Sequence, residues 1–239
     1  MIKPPHHSGQ RLGWLLGLLL SAICCGAAEE GANWPRKPEA IIAKPTPESE
    51  KLAADLGLGR WIWTTNFTDK QTCRLWRSFT LPNTNGVRKA NLRLTADNSY
   101  RLYLDGREIG QGGNWKSLTD YDVTWLLGSG THVLAGEVFN DGLEGGLILG
   151  LKIEFADGQK MLLGSDKSWS IVPEETRRWV QRRAADPRWA PAQEVGVIGQ
   201  APWWTYPISV MAPPPLRPEV FYFWQTGWFL ATVLTVAAI

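Results

Sequence analysis

Three short groups of polar and aromatic residues stand where the sequence predicts loops. A tryptophan beside amide and carboxylate groups is suited to a polyhydroxylated ring, because the indole stacks on the ring and the polar groups bond its hydroxyls. Loops on a rigid scaffold commonly carry such residues. The candidate ligand-binding residues are Asn114 and Trp115 in the segment Gly110–Lys116, Asp97 and Asn98 after one predicted strand, and Asn140 and Asp141 after another.

Two of the groups have an equally good explanation without a ligand. Asp and Asn favour turns, because their short side chains bond nearby backbone groups, so the pairs at 97–98 and 140–141 fit turns equally well. The polar, glycine-rich surroundings of Trp115 favour exposure and therefore a binding role. Four other tryptophans fall within predicted strands, where large aromatic residues usually build the core: Trp61, Trp63, Trp76 and Trp169.

Residues for catalysis or metal binding are scarce. The chain has 3 histidines and 3 cysteines, with no zinc-ligand set and no Gly-x-Ser-x-Gly motif. His132, in the predicted strand Thr131–Asn140, is expected to be a structural partner and not a base. Cys73 is expected to be a buried, unreactive thiol. We therefore expect this chain to be no enzyme and to bind no cofactor or metal.

The charge of the chain excludes a strong field for nucleic acid. Lys and Arg number 25 and Asp and Glu 23, which gives a formal net charge of +2. The densest cluster of cations is flanked by acids, which favours a solvated, charge-balanced surface over a phosphate site. Its members are Arg177, Arg178, Arg182 and Arg183, with Glu174, Glu175 and Asp186 beside them.

The elements that must position the candidate residues are strands, since apolar residues alternate with a period of two. Leu147, Leu149, Leu151, Ile153 and Phe155 alternate with residues of the opposite face, and Ala90, Leu92, Leu94 and Ala96 repeat the pattern. Asp105-Gly106 and Asp157-Gly158 each follow a predicted strand and predict two-residue hairpin turns. The fold class is therefore all-β, an antiparallel sandwich or barrel.

A series of short motifs specifies this fold further. They are Trp61–Trp63, Trp76–Phe79, Ala90–Tyr100, Leu102–Gly106, Tyr121–Thr124, Val133–Ala135, Ser165–Trp169, Trp189–Ala192 and Ala201–Trp203. In this order they resemble the galactose-binding-like jelly-roll modules at the N-terminus of bacterial alpha-L-rhamnosidases. The resemblance covers about Gly59 to Trp204 and implies a jelly-roll sandwich that either binds a saccharide or has a purely structural role.

The two ends of the chain carry apolar segments. Residues 1–28 have the order of a secretory signal peptide, a charged start, an apolar run and small residues, with cleavage expected after Ala28. Cys24 and Cys25 leave a lipoprotein signal as the alternative. Residues 220–239 contain no charge and reach ~30 Å as a helix, enough to span a bilayer. The predicted order is signal peptide 1–28, linker 29–58 with a short helix at Glu48–Leu56, sandwich 59–207, proline-rich spacer 208–219 and transmembrane helix 220–239.

This order is typical of a receptor ectodomain in the periplasm, held at the bacterial inner membrane. The residues around Pro213–Pro215 and Phe223–Phe229 also resemble the junction before the membrane helix of large sensor histidine kinases. We therefore expect the ligand-sensing portion of a two-component sensor kinase, whose cytoplasmic signalling region would follow Ile239. Its expected partners are a saccharide or related small molecule, the membrane, and a second copy through the membrane helix. The alternatives are a membrane-anchored noncatalytic carbohydrate-binding module associated with glycoside hydrolysis, and a small hydrolase.

Overall fold

The computed structural model describes residues 44–82, 86–203 and 209–212. Within them there are one α-helix and thirteen strands, and the strands form two sheets. The helix is α1 (Pro47–Leu56), and short 3₁₀ helices lie at Thr124–Leu126 and Trp179–Gln181. The strands are β1 (Trp61–Trp63), β2 (Gln71–Leu81), β3 (Val87–Asp97), β4 (Ser99–Leu104), β5 (Arg107–Gly112), β6 (Ser117–Asp122), β7 (Gly130–Asn140), β8 (Gly146–Phe155), β9 (Lys160–Gly164), β10 (Ser170–Val172), β11 (Ala190–Pro191), β12 (Gln193–Gly196) and β13 (Ser209–Met211).

The two sheets face each other as a β-sandwich, which confirms the predicted fold class at this level. Sheet 1 has the order β12-β1-β8-β3-β6-β13, and β9 also pairs with β8. Sheet 2 has the order β11-β10-β2-β7-β4-β5. The described strands pair antiparallel, except that β13 pairs with β6 in parallel. Since β13 lies within the predicted spacer 208–219, residues 209–211 of that spacer join the sandwich as a strand.

The core lies between the sheets and follows the predicted alternation. The apolar residues at alternate positions of β3 and β8 are all buried. Of the four tryptophans expected in the core, Trp61, Trp63 and Trp169 lie there and are at most 1% exposed. Trp76 is also buried, at 2% exposed, but it belongs to a separate cluster. Cys73 is also buried, as predicted, and burial raises the pKa of its thiol to about 12.

A second, smaller apolar cluster lies on the outer face of sheet 2. Trp76 points outward from β2 and meets Trp189 edge to face at 5.6 Å, while Tyr103 of β4 meets Trp179 in the same way at 6.0 Å. Both covering tryptophans come from the connection between β10 and β11. This connection, residues 173–189, therefore shields the part of the outer face of sheet 2 that contains Trp76 and Tyr103. Its arginines are exposed, as predicted, and Arg182 and Arg188 pair with Asp186.

Helix α1 packs on sheet 1 although the sequence assigns its residues to the linker 29–58. Thr46 begins the helix with a capping box to Ser49, and Gly57 ends it in the left-handed conformation. The end of the helix lies directly on Gly150 of β8, where a Cβ atom would stand 1.7 Å from the Gly57 carbonyl oxygen. Ala53 and Leu58 join the core. The short helix predicted at Glu48–Leu56 is therefore present as α1 (Pro47–Leu56). What the linker assignment missed is that this helix packs on sheet 1, because it weighed the prolines before the helix and not its apolar face.

The two Asp-Gly pairs behave differently. Asp105 and Gly106 have φ angles of 53° and 81° and form a two-residue hairpin turn between β4 and β5, as predicted. Asp157 and Gly158 lie in a connection of four residues, 156–159, so the two-residue turn predicted there is wrong. The Gly158 amide donates to the Phe155 carbonyl, and Gly158 (φ 85°) then takes the left-handed position that follows a type I turn in longer hairpin loops.

The predicted signal peptide 1–28 and transmembrane helix 220–239 lie outside the described residues. Among the residues that are described, no helix is long and apolar enough to cross a membrane.

Candidate functional site

Four connections meet at one end of the sandwich, which we call the loop end. They are residues 64–70 between β1 and β2, Asn98 between β3 and β4, residues 113–116 between β5 and β6, and residues 141–145 between β7 and β8. Because neighbouring antiparallel strands reverse direction, the end of one strand and the start of the next share this edge. The loop end thus holds all six of the predicted ligand-binding residues: Asp97, Asn98, Asn114, Trp115, Asn140 and Asp141.

Asn98 and Asp141 are joined directly. The Asp141 amide donates to Asn98 Oδ1 at 2.6 Å, and the Asn98 amide donates to the Phe139 carbonyl at 2.7 Å. The Lys70 amide donates to the Asp141 carbonyl at 3.1 Å, which ties the first connection to the fourth. Asn98 and Asp141 are both exposed. Their backbone is therefore fixed while the Asp141 carboxylate and the Asn98 amino group remain at the surface.

Asp97 connects the loop end to the buried core. Its Oδ2 accepts a hydrogen bond from Trp203 Nε1 at 3.0 Å, and the Trp203 ring stacks on Trp61 at 4.2 Å with an interplanar angle of 14°. Burial raises the pKa of Asp97, the Trp203 hydrogen bond opposes this rise, and the nearby Glu144 carboxylate adds to it. A carboxylate is therefore held at the rim of the loop end by a buried aromatic pair.

Asn140 has a structural position. It is 0% exposed, its amino group donates to the Leu143 carbonyl at 3.2 Å, and its Oδ1 accepts from the Gly142 amide at 3.2 Å. These bonds close the turn after β7, which is the alternative that the sequence left open for this residue. The surface for a ligand is therefore formed by its neighbours and not by Asn140 itself.

Trp115 is half-buried and packs against the core, and Lys116 Nζ lies 5.3 Å from its ring centre. The glycines before Trp115 were predicted to accompany an exposed tryptophan, but the structure gives them a different role. A Cβ atom at Gly110 would stand 2.2 Å from the Tyr121 ring, and one at Gly112 would stand 2.7 Å from the Tyr100 hydroxyl. These glycines make room for two tyrosines whose hydroxyls bond each other at 3.1 Å inside the sandwich.

Asn114 is exposed at the tip of the same connection. Its carbonyl accepts from Thr95 Oγ1 at 3.0 Å, and its Oδ1 accepts from the Lys116 amide at 3.1 Å. The preceding Gly113 lies so close to Asn98 that a Cβ atom would stand 2.7 Å from the Asn98 carbonyl oxygen. The connection 113–116 is thus packed beside Asn98.

Two residues of the loop end were not predicted. Glu144 lies in the segment Asn140–Gly146, whose mixture of glycine and polar residues matches that of Gly110–Lys116, so the same reasoning carried further along the chain finds it. Trp203 lies 106 positions from Asp97 and has no local signal. Among the described residues, no group of three or more His, Cys, Asp or Glu side chains is placed to hold a metal ion.

The opposite end of the sandwich holds His132 in a structural role, as predicted. His132 is 7% exposed, with Nδ1 2.7 Å from Asp105 Oδ2 and Nε2 2.9 Å from the Gly128 carbonyl. Both ring nitrogens therefore contact oxygen atoms of the fold, which is consistent with the structural role. Trp125 lies at the same end with 69% of its side chain exposed, under the Arg107 guanidinium at 4.9 Å.

The chain is similar in sequence to an alpha-L-rhamnosidase. No protein-family model matches it. It is 28% identical over 203 residues to an alpha-L-rhamnosidase of Streptomyces avermitilis, a match over 80% of this chain and 18% of that protein. The chain thus spans less than a fifth of the length of this relative.

Solved structures support the fold. The crystal structure of the Streptomyces avermitilis alpha-L-rhamnosidase complexed with L-rhamnose matches 61% of this chain and 15% of its own, with 27% identity and a TM-score of 0.55. A Pleurotus ostreatus lectin in complex with GalNAc matches 67% of this chain and 49% of its own, with 20% identity and a TM-score of 0.58. At that identity, the likeness to the lectin shows the fold alone.

Proposed function

We propose that this chain is a noncatalytic module that binds a saccharide at the loop end. The observation that carries the proposal is the meeting of Asp97, Asn98 and Asp141 at one edge of the sandwich, on a backbone fixed by hydrogen bonds. The similarity to a rhamnosidase, and to its crystal structure with L-rhamnose, makes a hexose the class of ligand to test first.

The polar groups at the loop end suit vicinal hydroxyls. Asn98 Oδ1 accepts from Asp141, so its amino group is directed as a donor. Trp203 holds Asp97 Oδ2, which leaves Oδ1 of the same carboxylate as an acceptor. A hydroxyl both donates and accepts, so it can bridge a carboxylate acceptor and an amide donor that are held side by side. Because these groups are already ordered, binding loses little conformational entropy.

Isothermal titration of the full chain with L-rhamnose and with GalNAc tests the proposal. We expect one of the two to bind, and Asn98→Ala to weaken it by about tenfold, since a hydrogen bond is lost at the contact. Trp125→Ala is the matched control, because it removes an exposed indole from the opposite end. Binding that is lost in Trp125→Ala and kept in Asn98→Ala would place the site at the wrong end and refute the proposal.

The wider context of the module is a further part of the proposal. The rhamnosidase similarity favours a carbohydrate-binding module associated with glycoside hydrolysis. Attachment to a sensor histidine kinase, location at the bacterial inner membrane and a membrane anchor stay predictions, since neither the described fold nor the similar proteins bear on them. Sequencing the gene beyond Ile239 tests the kinase context: an open frame that continues into a histidine-kinase region supports it, and a stop codon there refutes it.

A further inference from the structure

The outer face of sheet 2 is shielded only in part. Residues 173–189 cover the part that contains Trp76 and Tyr103. Nearer the loop end, the same face forms an open groove of about 640 Å³, a volume within the usual range of ligand sites. Its side chains come from β2, β7, β4 and β5: Thr72, Phe139, Glu137, Ser99, Arg101 and Gln111.

The strand register places an aromatic ring at the centre of this groove. Phe139 of β7 stands between Thr72 of β2 and Ser99 of β4, which are its direct neighbours across the sheet. Cross-strand neighbours usually cover each other's side chains, but these two are too small to cover a phenyl ring. Phe139 is consequently 37% exposed, on a central strand where an aromatic residue is normally packed.

A row of polar side chains lies beside the Phe139 ring, two residues away from it and from its neighbours along their strands. Glu137 has Arg74 on one side and Arg101 on the other, and Arg101 is followed by Gln111 of β5. Arg74 Nε donates to Glu137 Oε2 at 2.9 Å, and its guanidinium lies 5.6 Å from the Trp179 ring centre. Arg101 is hydrogen bonded to the Tyr103 hydroxyl. These partners order the row before any ligand arrives.

The groove is continuous with the loop end. Gly112 and Gly113 form part of its lining, and Gly113 is packed against Asn98. Ser99 follows Asn98 in the chain. Asp141, whose carboxylate we place at the sugar site, lies two residues after Phe139. A molecule bound at Asn98 and Asp141 therefore has the groove as its immediate neighbour.

We propose that this groove binds the next sugar units of a saccharide whose terminal unit occupies the loop end, with one ring stacked on Phe139 and its hydroxyls bonded to the row of Arg101, Glu137 and Gln111. This inference rests on the proposed function and adds that the ligand is an oligosaccharide. A single aromatic face beside ordered polar groups matches a pyranose, which has apolar ring faces and a polar edge. A protein partner would need roughly 800 Å² of matching surface, far more than one exposed phenyl ring offers.

The test compares saccharide lengths on the full chain. Isothermal titration would use L-rhamnose, GalNAc, and di- and trisaccharides that end in either sugar. We expect the longer saccharides to bind the wild-type chain about tenfold more tightly than the single sugar. Phe139→Ala should remove that gain and change the affinity for the single sugar by less than about twofold. Phe139→Tyr, which keeps the ring, should restore the gain.

The control variant is Leu162→Ala, which removes another exposed apolar side chain, 54% exposed, from the outer face of sheet 1. It should leave every affinity unchanged, and circular dichroism should show that all variants are folded. If a single sugar binds but length brings no gain, or if Phe139→Ala keeps the gain, the groove proposal is overturned while the proposed function stands. If none of the saccharides binds, both are overturned.

Discussion

Replacing Trp203 by Phe tests whether the buried aromatic pair holds Asp97 in its ionised form. The substitution keeps a ring to stack on Trp61 at 4.2 Å and removes the indole donor that lies 3.0 Å from Asp97 Oδ2. A hydrogen bond to a charged group stabilises a fold by about 1.5–3 kcal/mol. We therefore expect Trp203→Phe to lower the free energy of unfolding by about 2 kcal/mol at pH 7.

The sign of the pH dependence follows from the raised pKa of Asp97. The folded chain takes up this proton at a higher pH than the unfolded chain does, so protonation of Asp97 stabilises the fold. That contribution is complete below the unfolded pKa and is lost as the pH rises through the folded pKa. Without the Trp203 donor the folded pKa rises further, so the loss of stability from Trp203→Phe is largest at neutral pH. It shrinks on acidification, as the carboxylate becomes neutral.

Urea unfolding followed by tryptophan fluorescence at pH 7 and pH 4 measures this difference. Asp97→Asn is the matched background, because it keeps an oxygen acceptor and removes the charge. In that background Trp203→Phe should cost only about 1 kcal/mol, the usual net value of a neutral hydrogen bond. An equal cost of Trp203→Phe at both pH values, or an equal cost in the wild-type and Asp97→Asn backgrounds, would refute the role given to the ionised carboxylate.

Two further predictions concern the packing of the sandwich. Gly150→Ala should lower the free energy of unfolding by about 2 kcal/mol and speed hydrogen exchange in α1, because its methyl group would meet the Gly57 carbonyl. The control is Gly128→Ala, since a Cβ atom at Gly128 has open space. Equal effects of the two substitutions would contradict this account of α1. Cys73 should resist maleimide at pH 8 in the folded chain and react after denaturation, since a thiol with a pKa of about 12 is ionised at that pH in about one molecule in ten thousand. Peptide mass mapping locates the label, and rapid labelling of Cys73 in the native chain would contradict its burial.

The strands were predictable because their signal is local. A period of two in apolar residues over β3 is enough to assign its conformation and the buried positions Ala90, Leu92 and Leu94. The same holds for Trp61 and Trp63, since strand position and residue size together favour the core. The turn at Asp105-Gly106 was predictable for a similar reason, because the left-handed conformation strongly restricts the residue types.

The candidate site was predictable only in part, since its contacts are nonlocal. Composition placed Asn98 and Asp141 in loops, but their direct hydrogen bond depends on the pairing of β4 with β7. Composition also predicted that Gly110 and Gly112 accompany an exposed Trp115. These two glycines are instead required by the packing of Tyr100 and Tyr121 inside the sandwich, and no pattern within the segment reveals that packing.

Strand β7 links the loop end to the groove on sheet 2. Side chains alternate between the two faces of a strand, so Phe139 lies on the outer face while Asn140 is turned inward and closes the turn. Asp141 then begins the connection and lies at the surface. A shift of one residue in the register of β7 would bury Phe139 and expose Asn140, and it would remove both proposed contacts at once. The ring and the carboxylate are therefore positioned by one register, which is why we expect a saccharide long enough to reach both to bind more tightly than a single sugar.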